Sequence, residues 1–313
     1  MYNLETASND FFTHCKVEKN LSPKTLKAYQ IDLKQLQKFL LERDYSMDLS
    51  KISKVEIREY LGEISNLKPK SIKRKIATIR AMFNYLEFED KITVSPLRKM
   101  RIRLKEPKVL PRSLSINEVL EIFKRAYANK KNATKLSKYQ KLEALRNIVV
   151  VELLFGTGAR VSEIANLKDE NVDIPQGTII LKGKGSKERV IQICNVEALK
   201  ALAAYRKAFN KQISKAQNYF LINRFGSKLS DQSIRIIIKN LTTQASLSKH
   251  VTPHWFRHSF GTLLLENDVD IKYIQLLLGH SSITTTQIYT HVNKEKQKQI
   301  LETRHPRKTF SMN

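Results

Sequence analysis

The sequence predicts a mainly α protein of two domains, the second of which carries a small antiparallel sheet. Three observations carry this. Apolar residues recur at helical spacing through most of the 313 residues. One window, from Val172 to Cys194, instead has short β-branched runs separated by turn residues. Finally, Arg103–Arg112 (RLKEPKVLPR) is basic, holds Pro107 and Pro111, and has no apolar period, so it reads as an extended boundary. The implied domains are residues 1–105, all helical, and 113–313, joined by a linker at 106–112.

In the first domain Ser22 and Pro23 are a cap and first-turn proline, and Leu26, Leu33, Leu36, Phe39 and Leu40 then follow on one helical face. A second helix is expected around Lys54–Ile64. A third buries Ile72, Ile76, Ile79, Phe83 and Leu86. Basic residues fall off the apolar stripes, Lys24 and Lys27 on the earlier helix and Lys70, Lys73, Arg74 and Lys75 on the later one. These six are candidate phosphate contacts.

Net charge supports a polyanionic partner. Fifty-six Lys and Arg face thirty Asp and Glu, a balance of +26 with a sequence pI near 9.9. Both domains share the excess, +8 up to Glu106 and +18 beyond it. Such self-repulsion fits nucleic acid before an anionic membrane surface. No apolar run reaches the ~18 residues of a spanning helix, and the first ten residues lack a signal-peptide layout, so a cytoplasmic protein is expected. The two cysteines, Cys15 and Cys194, lie far apart and suggest neither a disulfide framework nor a zinc site.

The second domain opens with a helix over Leu114–Arg125, capped by Ser115 with Glu118 three residues on. Residues 126–142 are polar and Lys-rich, and read as a surface excursion. Arg146–Leu154 has the apolar density of a buried helix. Strands are expected at Val172–Ile174, Thr178–Leu181 and Arg189–Cys194, and helices return from Glu197 onward.

Four segments offer chemistry. In GTGARVSEIANL a Gly turn delivers Arg160 to the start of a helix, a position suited to anions. In KGKGSKER a Gly-flanked turn brings Lys184 to a hairpin tip, where it could protonate a leaving oxygen. In TPHWFRHSFGTLLL, Thr252 and Pro253 start a helix that places His254 and Arg257 three apart on one face, with His258 and Phe260 directed elsewhere. His254 and His258 lack further ligands at metal spacing, so no metal or other cofactor is expected. In LLLGHSSITTTQIYTHV, Gly279 ends a helix, His280 follows, and Tyr289 lies nine residues on. Together these supply two guanidinium groups for an anionic phosphoryl transition state, proton-handling groups and a nucleophile.

The ordered set Arg160, Lys184, His254, Arg257, His280 and Tyr289 resembles the tyrosine recombinases, of the phage-integrase and Xer kind. GTGxRxSE, KGKGxKxR, PHxxRHxFxT, LLGHxxxxTTxxYTH and a terminal HPR at His305–Arg307 occur in the family's order across nearly the whole chain. The resemblance implies an N-terminal core-binding, SAM-like helical domain and a C-terminal α+β catalytic domain. It implies a site-specific DNA recombinase working through a 3′-phosphotyrosyl intermediate, for integration, excision, inversion or dimer resolution. In that scheme Tyr289 attacks, Arg160 and Arg257 clamp the phosphate, and Lys184 protonates the 5′ oxygen. His254 assists deprotonation of the tyrosine, and His280 bonds the phosphate. Double-stranded DNA at a specific site is the implied partner, with a homotetramer on two such sites and a related recombinase or accessory protein as a further candidate. Lys294–Leu301 is implied to enter a neighbouring subunit. A type IB topoisomerase or hairpin-forming telomere resolvase shares the first chemical step. A non-catalytic regulator would have no need of the nucleophile.

Overall fold

A computed structural model of the chain describes residues 2–102, 104–105, 113–131, 137–183, 188–279 and 294–312. The chain divides into two compact units, Met1–Val109 and Leu110–Asn313. The linker expected at 106–112 lies outside the described residues. No helix among those described is long and apolar enough to cross a membrane.

The first unit is built of helices α1 (Leu4–Val17), α2 (Pro23–Glu42), α3 (Lys54–Glu63) and α4 (Pro69–Phe88). Their starts are fixed locally. Asn3 caps α1 by accepting from the Thr6 amide at 2.9 Å, and Ser22 caps α2 through the Thr25 amide. Ser53 and Glu56 cap α3 reciprocally. Leu4, Ala7, Phe11 and Cys15 of α1 close a core with Leu33, Leu36, Phe39 and Leu40 of α2 and the isoleucines of α4. Leu26, counted with the stripe from the sequence, is only partly buried.

One basic residue corrects the expectation for this unit. Lys75 is 4% exposed, and its ammonium donates to Asp32 at 3.1 Å and to Gln35. Asp32 is fully buried and also accepts from Arg74 and from the Thr78 hydroxyl. A buried carboxylate needs cationic and hydrogen-bonding partners, and Lys75 is turned inward to serve one. It is therefore unavailable to DNA. Lys24, Lys27, Lys70, Lys73 and Arg74 remain at the surface.

In the second unit α5 (Ile116–Lys131) and α6 (Lys138–Thr157) replace most of the expected polar excursion. Ser115 and Glu118 cap α5 as predicted. Ala126 and Tyr127 continue the inner face of α5, and Leu142 and Leu145 begin that of α6, so burial outweighs the polar composition. After the short α7 (Val161–Ala165) come β1 (Val172–Asp173), β2 (Thr178–Lys182) and β3 (Glu188–Gln192). They form an antiparallel sheet in that order, with Ile179 opposite both Val172 and Ile191, and Leu181 opposite Arg189. Helices α8 (Val196–Lys215), α9 (Asp231–Gln244), α10 (Pro253–Glu266), α11 (Ile271–Leu278) and α12 (Lys294–Arg304) complete the unit. The fold class read from the sequence holds.

The C-terminus closes on its own chain. Ile300 and Leu301 enter the core of this unit. Beyond them Arg307 is 1% exposed, with Glu152 at 2.8 Å and Glu197 at 2.9 Å from its Nη2. Phe123 and Phe310 flank its guanidinium. His305 lies beside it, its Nε2 donating to the Gly156 carbonyl at 3.2 Å while Nδ1 accepts from the Arg307 amide. Of the segment implied to join a neighbour, Lys294–Leu301, the described Ile300 and Leu301 pack within this unit.

Candidate active site

The site grows from the end of α6. That helix stops at Gly158, whose φ of +58° is left-handed. A Cβ there would sit 2.6 Å from the Phe260 ring, so both backbone and space require glycine. The turn presents the Gly158 carbonyl inward and delivers Arg160 to the start of α7.

Arg257 takes that carbonyl. It lies in the second turn of α10 and is 4% exposed. Its Nη1 donates to Gly158 O at 2.9 Å and its Nη2 to Leu278 O, the last residue of α11, at 2.6 Å. Burial, then the fields of Arg160 and Arg189, push its pKa down to about 10, against the pull of Glu163. The guanidinium is thus held by dipoles and remains a concentrated positive charge.

Arg160 is held differently. Its backbone amide and its Nη1 both donate to Glu163, at 2.8 and 2.9 Å. Its side chain is 43% exposed, so one edge of the guanidinium faces solvent. Glu163 is buried and is shared with Arg189, whose Nη1 and Nη2 reach its two oxygens at 3.0 and 2.8 Å. Burial pushes the Glu163 carboxyl up, but the bonds from Arg189 and Arg160 more than reverse this, so its pKa is lowered. Neither Glu163 nor Arg189 was assigned a role from the sequence, although both lie inside the quoted motifs.

His254 lies one turn before Arg257 but is exposed, whereas Arg257 turns inward. Its ring meets that of His258 edge-on at 4.4 Å, so His258 shares its side of the helix rather than pointing elsewhere. Thr252 caps α10 without a side-chain hydrogen bond, and Pro253 opens it. Lys184, His280 and Tyr289 lie outside the described residues. In sequence, Lys184 falls between β2, which ends at Lys182, and β3, which begins at Glu188. Helix α11 ends at Gly279, directly before His280. Among the described residues no group of three or more His, Cys, Asp or Glu side chains could hold a metal ion.

Comparison with known proteins identifies the family. Residues 115–296 match the sequence profile of the phage integrase family, and residues 9–90 that of the phage integrase N-terminal SAM-like domain. The chain belongs to the phage integrase family. It is similar to a tyrosine recombinase of Agathobacter rectalis, 45% identical over 99% of both chains. It is also similar to tyrosine recombinase XerD of Staphylococcus aureus, 34% identical over 97% of this chain and all of that one. Its fold matches XerH bound to difH substrate before cleavage, with a TM-score of 0.63 and 24% identity over 93% of this chain and 83% of that one. The same holds for a lambda integrase tetramer bound to a Holliday junction, with a TM-score of 0.65 and 20% identity over 91% of this chain and 79% of that one. The recombinase is a site-specific enzyme that cuts and rejoins DNA strands through a tyrosine.

Proposed function

We propose that the recombinase attacks the scissile phosphate with Tyr289, forming a 3′-phosphotyrosyl bond and releasing a 5′-hydroxyl. The observation that carries this is the pair of guanidinium groups. Arg257 is fixed by two carbonyls and Arg160 is anchored on one side by Glu163 with its other side open. A phosphodiester gains negative charge as it becomes pentacoordinate, and two preorganised cations stabilise that charge. Lys184 protonates the departing 5′ oxygen, His254 assists removal of the tyrosine proton, and His280 hydrogen-bonds the phosphate. The covalent link conserves the energy of the broken bond, so a 5′-hydroxyl of a partner strand reverses the step.

The helical unit of residues 1–105 serves as the core-binding domain, its surface Lys24, Lys27, Lys70, Lys73 and Arg74 set against DNA phosphates. The active assembly is a homotetramer on two DNA sites, acting in the cytoplasm. Support comes from the lambda integrase tetramer on a Holliday junction that shares the fold.

A nicked duplex suicide substrate tests the chemistry. Wild-type protein should accumulate an SDS-stable DNA adduct, and Tyr289→Phe should yield none. An undiminished adduct with Tyr289→Phe, or none with wild type on its cognate site, would overturn the assignment.

A further inference from the structure

Arg189 occupies a position that none of the assigned roles explains. It follows the hairpin on β3, and its side chain is 12% exposed. One edge of its guanidinium fills both oxygens of Glu163, the carboxylate that also holds Arg160. Its Nε donates to Leu277 O at 2.9 Å. The next carbonyl, Leu278 O, is the one that holds Arg257. The two arginines of the clamp are therefore joined through a single side chain, on one side by a shared carboxylate and on the other by adjacent carbonyls at the end of α11.

The surroundings are built for it. Gly279 has a φ of +65°, and a Cβ there would lie 3.2 Å from both Cδ and Nη1 of Arg189. The left-handed C-cap thus ends α11 and also leaves room for the guanidinium. Lysine has neither the planar fork nor the reach to serve Glu163 and Leu277 at once.

We propose that Arg189 is a positioning residue that fixes the spacing of Arg160 and Arg257 around the scissile phosphate, itself touching neither substrate nor nucleophile. The proposal rests on the assignment of those two arginines as the phosphate clamp. A clamp that loses its strut binds DNA but presents its charges about an ångström out of place, which is enough to slow the chemical step by about 10- to 100-fold.

The test compares two suicide substrates in the same protein preparation, so that any unfolded fraction cancels. One carries a normal scissile phosphodiester and the other a methylphosphonate, which is neutral and needs no charge clamp. Arg160→Ala calibrates the pair and should be strongly impaired on the phosphodiester but far less on the methylphosphonate. Arg189→Gln should behave alike, losing about 10- to 100-fold in adduct rate on the phosphodiester and no more than about threefold on the methylphosphonate. Arg189→Lys keeps a cation beside Glu163 and should show the same selectivity with a smaller loss. Equal losses on both substrates would make Arg189 a plain support of the fold, and undiminished rates on both would give it no role. Either overturns the proposal. Failure of Arg160→Ala to be relieved by the methylphosphonate would instead overturn the clamp assignment beneath it.

Discussion

Replacing Glu163 with glutamine tests the architecture at its centre. The carboxylate receives four donors, Arg160 N and Arg189 Nη2 on Oε2, and Arg160 Nη1 and Arg189 Nη1 on Oε1, all between 2.8 and 3.0 Å. Glutamine keeps the shape but only one oxygen, so its amide NH2 must face two donors that have nothing to give to. Two charge-assisted bonds, each worth about 1.5–3 kcal/mol, are lost, and two guanidinium charges lose a shared counter-ion. Breaking a buried pair in this way costs about 3–5 kcal/mol. For a unit of this size the loss corresponds to a fall of roughly 10 °C in Tm.

Trp255, the single tryptophan, is partly buried at the start of α10 and reports on this unit in urea unfolding. Glu121→Gln supplies the contrast, since its pair with Lys124 is about half exposed and should be worth less than about 1 kcal/mol. The pH dependence has a defined sign. Glu163 has a lowered folded pKa, so its stabilisation is complete above the ordinary carboxylate range and is lost as pH falls below it. The gap between wild type and Glu163→Gln should therefore narrow in acid. A midpoint shift no larger than that of Glu121→Gln would refute the reasoning.

Two further outcomes follow from buried polar groups outside the clamp. His305 is held neutral, with its pKa pushed by burial, and secondarily by Arg307, down to about 4. The unfolded state therefore binds more protons between the usual histidine range and about 4, and stability should fall by about 3 kcal/mol as pH drops through that window. His305→Gln keeps a donor for Gly156 O and should remove this part of the slope in pH-dependent urea unfolding; an unchanged slope would place the titration elsewhere. Lys75→Met should destabilise the first unit by on the order of 2 kcal/mol while leaving the salt dependence of DNA binding unchanged. Lys70→Ala should instead lower the salt slope by about one with little loss of stability, and a lowered slope for Lys75→Met would contradict the burial argument.

Much of this was legible in the residues themselves. The stripes of α2 and α4 and the three strands emerged from period and β-branching, because those signals are local. Helix α1 escaped notice although Asn3 followed by Leu4, Ala7, Phe11 and Cys15 is a capped helical stripe. The region 126–142 misled because its lysines dominated the composition while Ala126, Tyr127 and Leu142 carried the burial. Long-range pairing was the harder limit. Lys75 looked like its basic neighbours, and only Asp32, 43 residues earlier, decides that it turns inward. Glu163 and Arg189 lie 26 positions apart, and the HPR tail meets Glu152 from 155 residues away. No period or cap signals such contacts. The motif HPR was visible as a pattern, but its task of gripping Gly156 O beside the catalytic turn required the fold.

The charge balance of the three arginines supports the proposed phosphate site. Arg189 meets both oxygens of Glu163, and Arg160 shares the same carboxylate, so one negative charge is set against two positive ones. Among the described residues Arg257 has no carboxylate on it, only the carbonyls of Gly158 and Leu278. The cluster therefore carries two uncompensated positive charges inside a partly desolvated site. Its cost is visible in the lowered pKa of Arg257, where burial and the neighbouring arginines outweigh Glu163. A phosphodiester brings one negative charge, and a second develops as the nucleophile adds. Under the proposed clamp, the charge missing from the resting site matches what the transition state would supply, so the electrostatic strain held by the fold would be relieved most where the reaction is slowest. Full neutralisation of Arg257 by a nearby carboxylate would have stabilised the resting protein and removed that advantage.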